Sequence, residues 1–284
     1  MSIWQASGLI DLAVVADWES VWGQGQVRIL PVSPLGQVAM AHTGSEGRLG
    51  FVPPTGPFDP DRHIYLGQVG GTPVFAALEK DPAQITLREA LGYLDETGVE
   101  IAMRASALAQ FHATNQFCPQ CGQRTGMYDL GRSRWCAACQ VCHFPRLDPA
   151  IIVAITDEQD RLLLGRHSGW GENRFSVLAG FTEAGESLEQ TVCREMFEEV
   201  RLRVTDIRYV GSQPWPMPRS LMVGFTAVAA GQTPVADMVE IIDARWFSRT
   251  DLATALAQST LTLPPPASIA RQLVTRWYGS TLEA

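Results

Sequence analysis

Three glutamates, Glu195, Glu198 and Glu199, fall within one short stretch of GFTEAGESLEQTVCREMFEEVRL, residues 180–202. Read as a helix at 3.6 residues per turn, they share an arc of roughly 100°. Carboxylates that close repel one another, so a helix with a purely structural task gains nothing from grouping them. Hard oxygen ligands converging in this way suit Mg2+ or Mn2+ bridging phosphate oxygens. The helix carries its own start signal, because Ser187 with Gln190 three positions on resembles a capping box. Val192, Cys193, Met196, Phe197 and Val200 supply its apolar stripe. An acidic helix face by itself is ordinarily only solvated, so the assignment depends on what surrounds it.

A second constellation is softer in chemistry. Cys118-Pro-Gln-Cys121 and Cys136-Ala-Ala-Cys139 are two CxxC pairs separated by 14 residues. Each pair brings two thiolates to one ion from a tight knuckle, and two pairs complete a tetrahedral sulfur shell that selects Zn2+. A shell without an open position is structural. Cys139-Gln-Val-Cys142 is also a CxxC, so Cys142 and His143 remain spare donors beside the favoured pair. Five of the six cysteines lie in residues 118–142, which is metal-site clustering and not a disulfide framework.

The elements that must hold these residues follow from periodicity. Residues 1 to about 85 are rich in Gly and Pro, with β-prone runs at 26–30, 64–68 and 73–77, and they carry no catalytic spacing. His42 and His63 sit there among polar residues and read as structural. From Leu87 to Asn115 apolar residues recur at helical spacing, with Gly98 expected to separate two helices. After Pro149 the pattern changes. Strands are expected at 150–155, 161–166 and 174–179, a helix at 187–200, strands at 207–212, 221–230 and 240–247, and a helix at 268–278. A helix between strand groups argues for an α/β sandwich with a mixed sheet. The expected domains are an N-terminal α+β domain (1–114), a zinc ribbon (115–147) and a catalytic domain (148–284).

Composition sets the outer limits. Hydrophobic residues make up 46% of the 284 and charged ones 18%, which provides a sizeable core and excludes a disordered chain. The formal net charge of −8 makes sequence-independent nucleic-acid binding a poor expectation, since that affinity comes from neutralising phosphates. No run approaches the ~18 apolar residues of a membrane span, and no signal peptide is evident. The expected compartment is the cytoplasm.

The acidic helix belongs to a longer pattern. Gly180, Glu186, Arg194, Glu195, Met196, Glu198, Glu199 and Leu202 match the Nudix box. One position departs from it: Arg201 stands where the box has a glycine, which would serve a turn of positive φ. A side chain in that conformation costs ~1 kcal/mol. Ser212-Gln-Pro-Trp-Pro-Met-Pro-Arg-Ser220 resembles the SQPWPFPxS signature of the NADH pyrophosphatases, with Met217 replacing Phe. That subfamily also carries a four-cysteine ribbon ahead of the Nudix domain. The resemblance covers residues 100–284 by motif and the first hundred by architecture.

The resemblance implies metal-dependent hydrolysis of the pyrophosphate of NADH or NAD to nicotinamide mononucleotide and AMP, and removal of NAD caps from RNA. It places Mg2+ or Mn2+ on Glu195, Glu199, Glu240 and the Ala179 carbonyl, with structural Zn2+ on Cys118, Cys121, Cys136 and Cys139. Glu198 either binds metal or acts as general base, and Arg194 holds Glu186 or a catalytic glutamate. Phe144, Phe181, Gln213, Pro214, Trp215, Pro216, Met217, Pro218, Arg219, Ser220 and Ala270 are the implied substrate contacts. Among them Phe144 would stack a base, Trp215 would contact a ring, and Gln213 and Ser220 would offer hydrogen bonds. Relatives are homodimers. Two other readings compete: a broader Nudix hydrolase acting on ADP-ribose or diadenosine compounds, and a zinc-ribbon RNA-binding regulator with a decayed site.

Overall fold

The computed structural model describes residues 10–14, 18–43, 46–80 and 84–280. They form two compact units: one from Asp148–Trp215 and the chain from Ser220 on, the other from the chain up to Leu147 together with Pro216–Arg219. No described helix is long and apolar enough to cross a membrane.

The N-terminal unit begins with α1 (Trp18–Gly23), followed by β1 (Arg28–Val32), β2 (Val38–Thr43), β3 (Glu46–Leu49), β4 (His63–Val69), β5 (Thr72–Leu78) and β6 (Gln84–Ile85). The sheet order is β3-β2-β1-β5-β4, with β6 beside β2. Trp22, Phe58 and Phe75 meet edge to face over it, the geometry that aromatic quadrupoles favour. His63 is buried at the start of β4, not among polar loop residues, and its Nδ1 accepts the Asp59 N–H at 2.9 Å. Helices α2 (Leu87–Ala90) and α3 (Glu96–Thr114) confirm a helical pair, but the break lies before Gly98. Asp95 caps α3 by accepting the Gly98 N–H at 2.7 Å, so Gly98 sits in the first helical turn.

Strands β7 (Gly126–Tyr128), β8 (Ser133–Cys136) and β9 (Val141–His143) form a small antiparallel sheet in the same unit. His112 of α3 is fixed at its base. Its Nε2 donates to the Gly131 carbonyl at 2.7 Å, leaving Nδ1 to accept from the Arg134 guanidinium at 3.0 Å. Arg134 also donates to Thr125 Oγ1 and to the Thr125 carbonyl, each at 2.7 Å. Burial, helped by Arg134 and opposed by the Gly131 bond, pushes the His112 pKa down to about 4.

The C-terminal unit is a sandwich of helix, sheet and helices. It contains β10 (Asp148–Thr156), β11 (Leu162–His167), β12 (Leu178–Phe181), α4 (Leu188–Val200), β13 (Thr205–Trp215), β14 (Ser220–Val228), β15 (Ile241–Phe247), α5 (Arg249–Ala257) and α6 (Ile269–Tyr278). The mixed sheet has the order β13-β14-β10-β11-β15, with β12 beside β10. Strand β10 is central, running parallel to β14 from Asp148↔Ser220 to Thr156↔Val228 and antiparallel to β11 and β12.

Alternation along β10 sends Ile151, Val153 and Ile155 toward Val192, Met196 and Val200 of α4. Ile152 and Ala154 face α5 and α6 through Leu252, Ile269, Leu273 and Val274. Met196 has no exposed surface, which explains the bulky apolar position of the box. Truncating such a residue to Ala costs ~2–5 kcal/mol. Helix α4 starts as expected, with the Ser187–Gln190 capping box formed in both directions. It ends at Arg201, whose φ of 58° and ψ of 23° are left-handed. The Arg201 N–H reaches the Phe197 carbonyl and the Leu202 N–H the Met196 carbonyl, each at 3.1 Å, so the departing turn keeps its hydrogen bonds.

Candidate active site

Arg194 organises the acidic face. Its guanidinium grips Glu186 with two bonds, Nε to Oε1 at 2.6 Å and Nη2 to Oε2 at 3.0 Å. Nη1 reaches Glu195 Oε1 at 3.0 Å and Glu198 Oε2 at 2.9 Å, and Nη2 also donates to the Phe181 carbonyl at 2.9 Å. One planar fork therefore ties α4 to the end of β12 and to the loop before the helix, which an ammonium could not do. Hydrogen bonding from Arg194 holds the Glu186 carboxyl down to about 2. Thr191, fully buried, adds a bond from its hydroxyl to Glu186 Oε2 at 3.1 Å. Sequence reasoning passed over Thr191, because a Thr on an inward helix position carries no signal of its own.

Gly180 explains itself by what lies against it. A Cβ there would collide with the Glu195 carboxyl, so only glycine lets that carboxylate lie against β12. Neighbouring Ala179, in β12, is paired with Ile152 of β10. Glu195 is raised by burial and by Glu198 and Glu240, against the pull of Arg194. Glu199 is 6% exposed, and its Oε2 is buried without a hydrogen-bond partner. Burial, and then the charges of Glu195, Glu240, Asp237 and Glu198, push it up to about 8. Glu240 precedes β15 and is exposed. Glu198 has 57% of its side chain in solvent. A buried, unpartnered carboxylate oxygen among mutually repelling carboxylates is the environment a divalent cation relieves. The donor set therefore fits a hard metal ion.

The cysteines converge more tightly. The Sγ atoms of Cys118, Cys121, Cys136 and Cys139 all lie within 4.8 Å of one another, and among the described residues this is the group of that kind. The two knuckles are built alike. The Gly122 N–H bonds the Cys118 carbonyl at 2.8 Å, and the Gln140 N–H bonds the Cys136 carbonyl at 2.9 Å. Each of those residues has positive φ, 72° at Gly122 and 58° at Gln140. Cys142 points elsewhere, with its Sγ 3.3 Å from Ser133 Oγ. Against burial, the Gln120 and Cys121 N–H groups and the His143 and Cys136 side chains bring the Cys118 thiol down to about 6.

The SQPWPMPRS segment closes the β13–β14 hairpin. Trp215 pairs with Ser220, and Pro216, Met217, Pro218 and Arg219 make the turn, with a cis Met217–Pro218 peptide. Trp215 is half-buried and Ser220 buried, while Pro214 pairs with Leu221. Gln213 differs from expectation. Its side chain has no exposed surface, and both amide ends are taken, Nε2 donating to the Ala267 carbonyl at 3.0 Å and Oε1 accepting the Ile269 N–H at 2.8 Å. It ties β13 to the start of α6. Ala270 is buried in the first turn of α6. Phe181 and Phe144 are exposed rings, each in its own unit.

Residues 146–265 match the NUDIX domain model. The NAD-capped RNA hydrolase NudC of Mycobacterium bovis is 40% identical over 237 residues, covering 77% of this chain and 76% of the relative. The chain belongs to the Nudix family. Within it the NudC proteins are close relatives, and the one from Vibrio atlanticus is 37% identical over 74% of this chain and 76% of its own length. A Nudix hydrolase from Nitrosomonas europaea superposes with a TM-score of 0.44 at 20% identity, over 60% of this chain and 96% of that one.

Proposed function

We propose that this chain hydrolyses the pyrophosphate of NADH or NAD to nicotinamide mononucleotide and AMP, and removes NAD caps from RNA. The observation that carries the reading is the buried, unpartnered Glu199 Oε2 set among Glu195 and Glu240 beside Gly180. The activity named for its NudC relatives supports the choice of substrate. Mg2+ or Mn2+ would be held by Glu195, Glu199, Glu240 and the Ala179 carbonyl. When bound, such ions polarise phosphate oxygens and lower the pKa of water.

The protein's own groups account for the rest. Water attacks one phosphorus, the bridging P–O bond breaks, and the released monophosphate carries off the bridging oxygen. Glu198, largely in solvent and oriented by Arg194, takes the proton from the attacking water and passes it to bulk. Arg194 fixes the spacing between Glu195 and Glu198 and anchors both to β12. Phe181 and Trp215 would offer ring faces to the bases, and the family resemblance gives Phe144 a base-stacking role as well. The cysteine quartet would hold one Zn2+ as a structural ion.

A cytoplasmic location and a homodimer complete the proposal. The clustering of five cysteines in residues 118–142 supports the first, the family resemblance supports the second, and light scattering of the purified chain reads the assembly state. The test of function is product analysis with NADH, NAD+, ADP-ribose and NAD-capped RNA in parallel. Nicotinamide mononucleotide and AMP from the dinucleotides, at rates well above ADP-ribose turnover, support the reading. Preference for ADP-ribose would favour the broader Nudix hydrolase, and no turnover on any of the four would favour the non-catalytic regulator.

A further inference from the structure

The loop that returns from β14 to β15 is pinned to the end of α4. The Val235 N–H bonds the Val200 carbonyl and the Asp237 N–H bonds the Glu199 carbonyl, each at 2.9 Å. Carbonyls in the last turn of a helix have no partner within it, so these bonds satisfy groups that would otherwise need water. The Asp237 carboxylate then turns back on its own loop. Its Oδ1 accepts the N–H groups of Val239 at 3.1 Å, Glu240 at 3.1 Å and Ile241 at 2.9 Å, while Oδ2 also receives the Glu240 N–H at 3.3 Å. Backbone hydrogen bonds from Ile241, Val239 and Glu240 draw its pKa below the usual range, against burial. From the other side, the Ser168 N–H holds the Glu240 carbonyl at 2.8 Å, and Met238 closes onto Ile241 at 2.9 Å.

Asp237 thus joins two carboxylate-bearing residues through their main chains, the carbonyl of Glu199 and the N–H of Glu240. Met238 beside it has a positive φ of 63° and is 67% exposed, so at this turn the backbone is held by its hydrogen bonds and not by burial of the Met238 side chain. We propose that Asp237 is a positioning residue that sets Glu240 at a fixed distance from Glu199. This rests on the assignment of Glu199 and Glu240 as ligands under the proposed function. Asp237 contributes acceptor oxygens, and its negative charge is dispensable. Groups that orient a metal ligand without touching the ion change affinity by roughly 10–100-fold when removed.

The test is Mn2+ affinity, read from the electron paramagnetic resonance of free Mn2+ without substrate, alongside kcat and KM for NADH. Asp237→Ala should weaken Mn2+ binding about tenfold or more and lower kcat more than it raises KM. Asp237→Asn keeps an acceptor oxygen and should stay within about threefold of wild type, which separates geometry from charge. In a Glu240→Gln background Asp237→Ala should add little, because the residue it positions is already lost. Equal losses in Asp237→Asn and Asp237→Ala would overturn the proposal in favour of a direct ionic role. Undiminished affinity in Asp237→Ala would overturn it as well. If Asp237→Ala does not fold, Asp237→Ser, whose single oxygen reaches fewer of the N–H groups, takes its place with the same criteria. If Glu240→Gln itself binds Mn2+ as wild type does, the ligand assignment falls and the positioning proposal with it. If only Glu240→Gln weakens binding, the ligand assignment stands alone.

Discussion

The cysteine quartet and the glutamate cluster are the two ligand sets proposed for this chain, and they differ in how their charge is managed. Four sulfurs lie within 4.8 Å of one another on two matching knuckles, and nothing else needs to enter that shell. The glutamates are spread between a helix and a loop, partly neutralised by Arg194, with one buried oxygen left without a partner. A closed shell lets its ion serve as a substitute core for a sheet of three short strands. An open, repelling set stays incomplete on its own, and under the proposed function a cation and the phosphates it carries would complete it. Under the proposed function the difference separates an ion that would hold a fold from an ion that would do chemistry.

The sharpest way to break that distinction is Glu199→Gln. It should lower turnover roughly 10²–10³-fold or more, on the scale of losing one preorganised electrostatic contact in a transition state. The melting temperature should not fall, because burial and the neighbouring carboxylates push the Glu199 pKa up to about 8, and the amide is as neutral as the protonated carboxyl it replaces and has the same shape. Near-wild-type rates at saturating Mg2+ or Mn2+ would remove Glu199 from the site.

Cys136→Ser should behave in the opposite way. Melting should drop by roughly 10 °C or more, with one Zn2+ lost per chain by elemental analysis and activity per folded molecule largely kept. Equal stability with and without the metal would make the quartet incidental.

The ribbon side carries a further, pH-dependent test. His112 has its folded pKa depressed to about 4 from an ordinary 6.5, so the unfolded chain takes up the proton first. Its contribution is fully present above pH 6.5 and is lost as pH falls toward 4, by about 3 kcal/mol in all. Denaturant titrations across that window should show the slope in the wild type and a flatter one in His112→Gln.

The smallest effect expected is on specificity. Trp215→Ala should reduce kcat/KM for NADH by about tenfold, corresponding to ~1 kcal/mol or a little more for one aromatic contact. A smaller pyrophosphate lacking the second base should lose less. Equal losses on both would assign Trp215 to the fold.

Local chemistry was the part legible in the sequence. The capping box at Ser187 and Gln190, the two CxxC knuckles and the apolar run at 150–155 that becomes β10 are set by residues a few positions apart, and each appears where expected. The partnerships of β10 with β14 and of β11 with β15 join segments far apart in the chain, and no local spacing encodes their register. Helix α5 escaped although Ser248 and Asp251 form a capping box there, a signal masked because Leu252 is the one fully buried residue of its body. The expected third strand begins later, at Leu178, with Arg174 instead bridged to Thr262. Gln213 looked like a donor to a ligand, since a sequence does not reveal that a side chain's partners are backbone groups more than fifty residues away. Asp237 went unnoticed for the same reason: its partners are main-chain N–H groups, which every sequence has.

Arg201 has a consequence for how such proteins are recognised. The left-handed turn that the box glycine would serve is present here, with the guanidinium carbon 5.5 Å from the centre of the Phe197 ring. What the motif constrains at this place is a torsion angle, and the letter is only its commonest spelling. A text search that insists on glycine would discard this chain, whereas one that scores backbone conformation and the spacing of carboxylates would keep it. Other catalytic helices with an unorthodox residue at the same turn are open to the same misreading, and at ~1 kcal/mol the strain is small enough for drift to cross it.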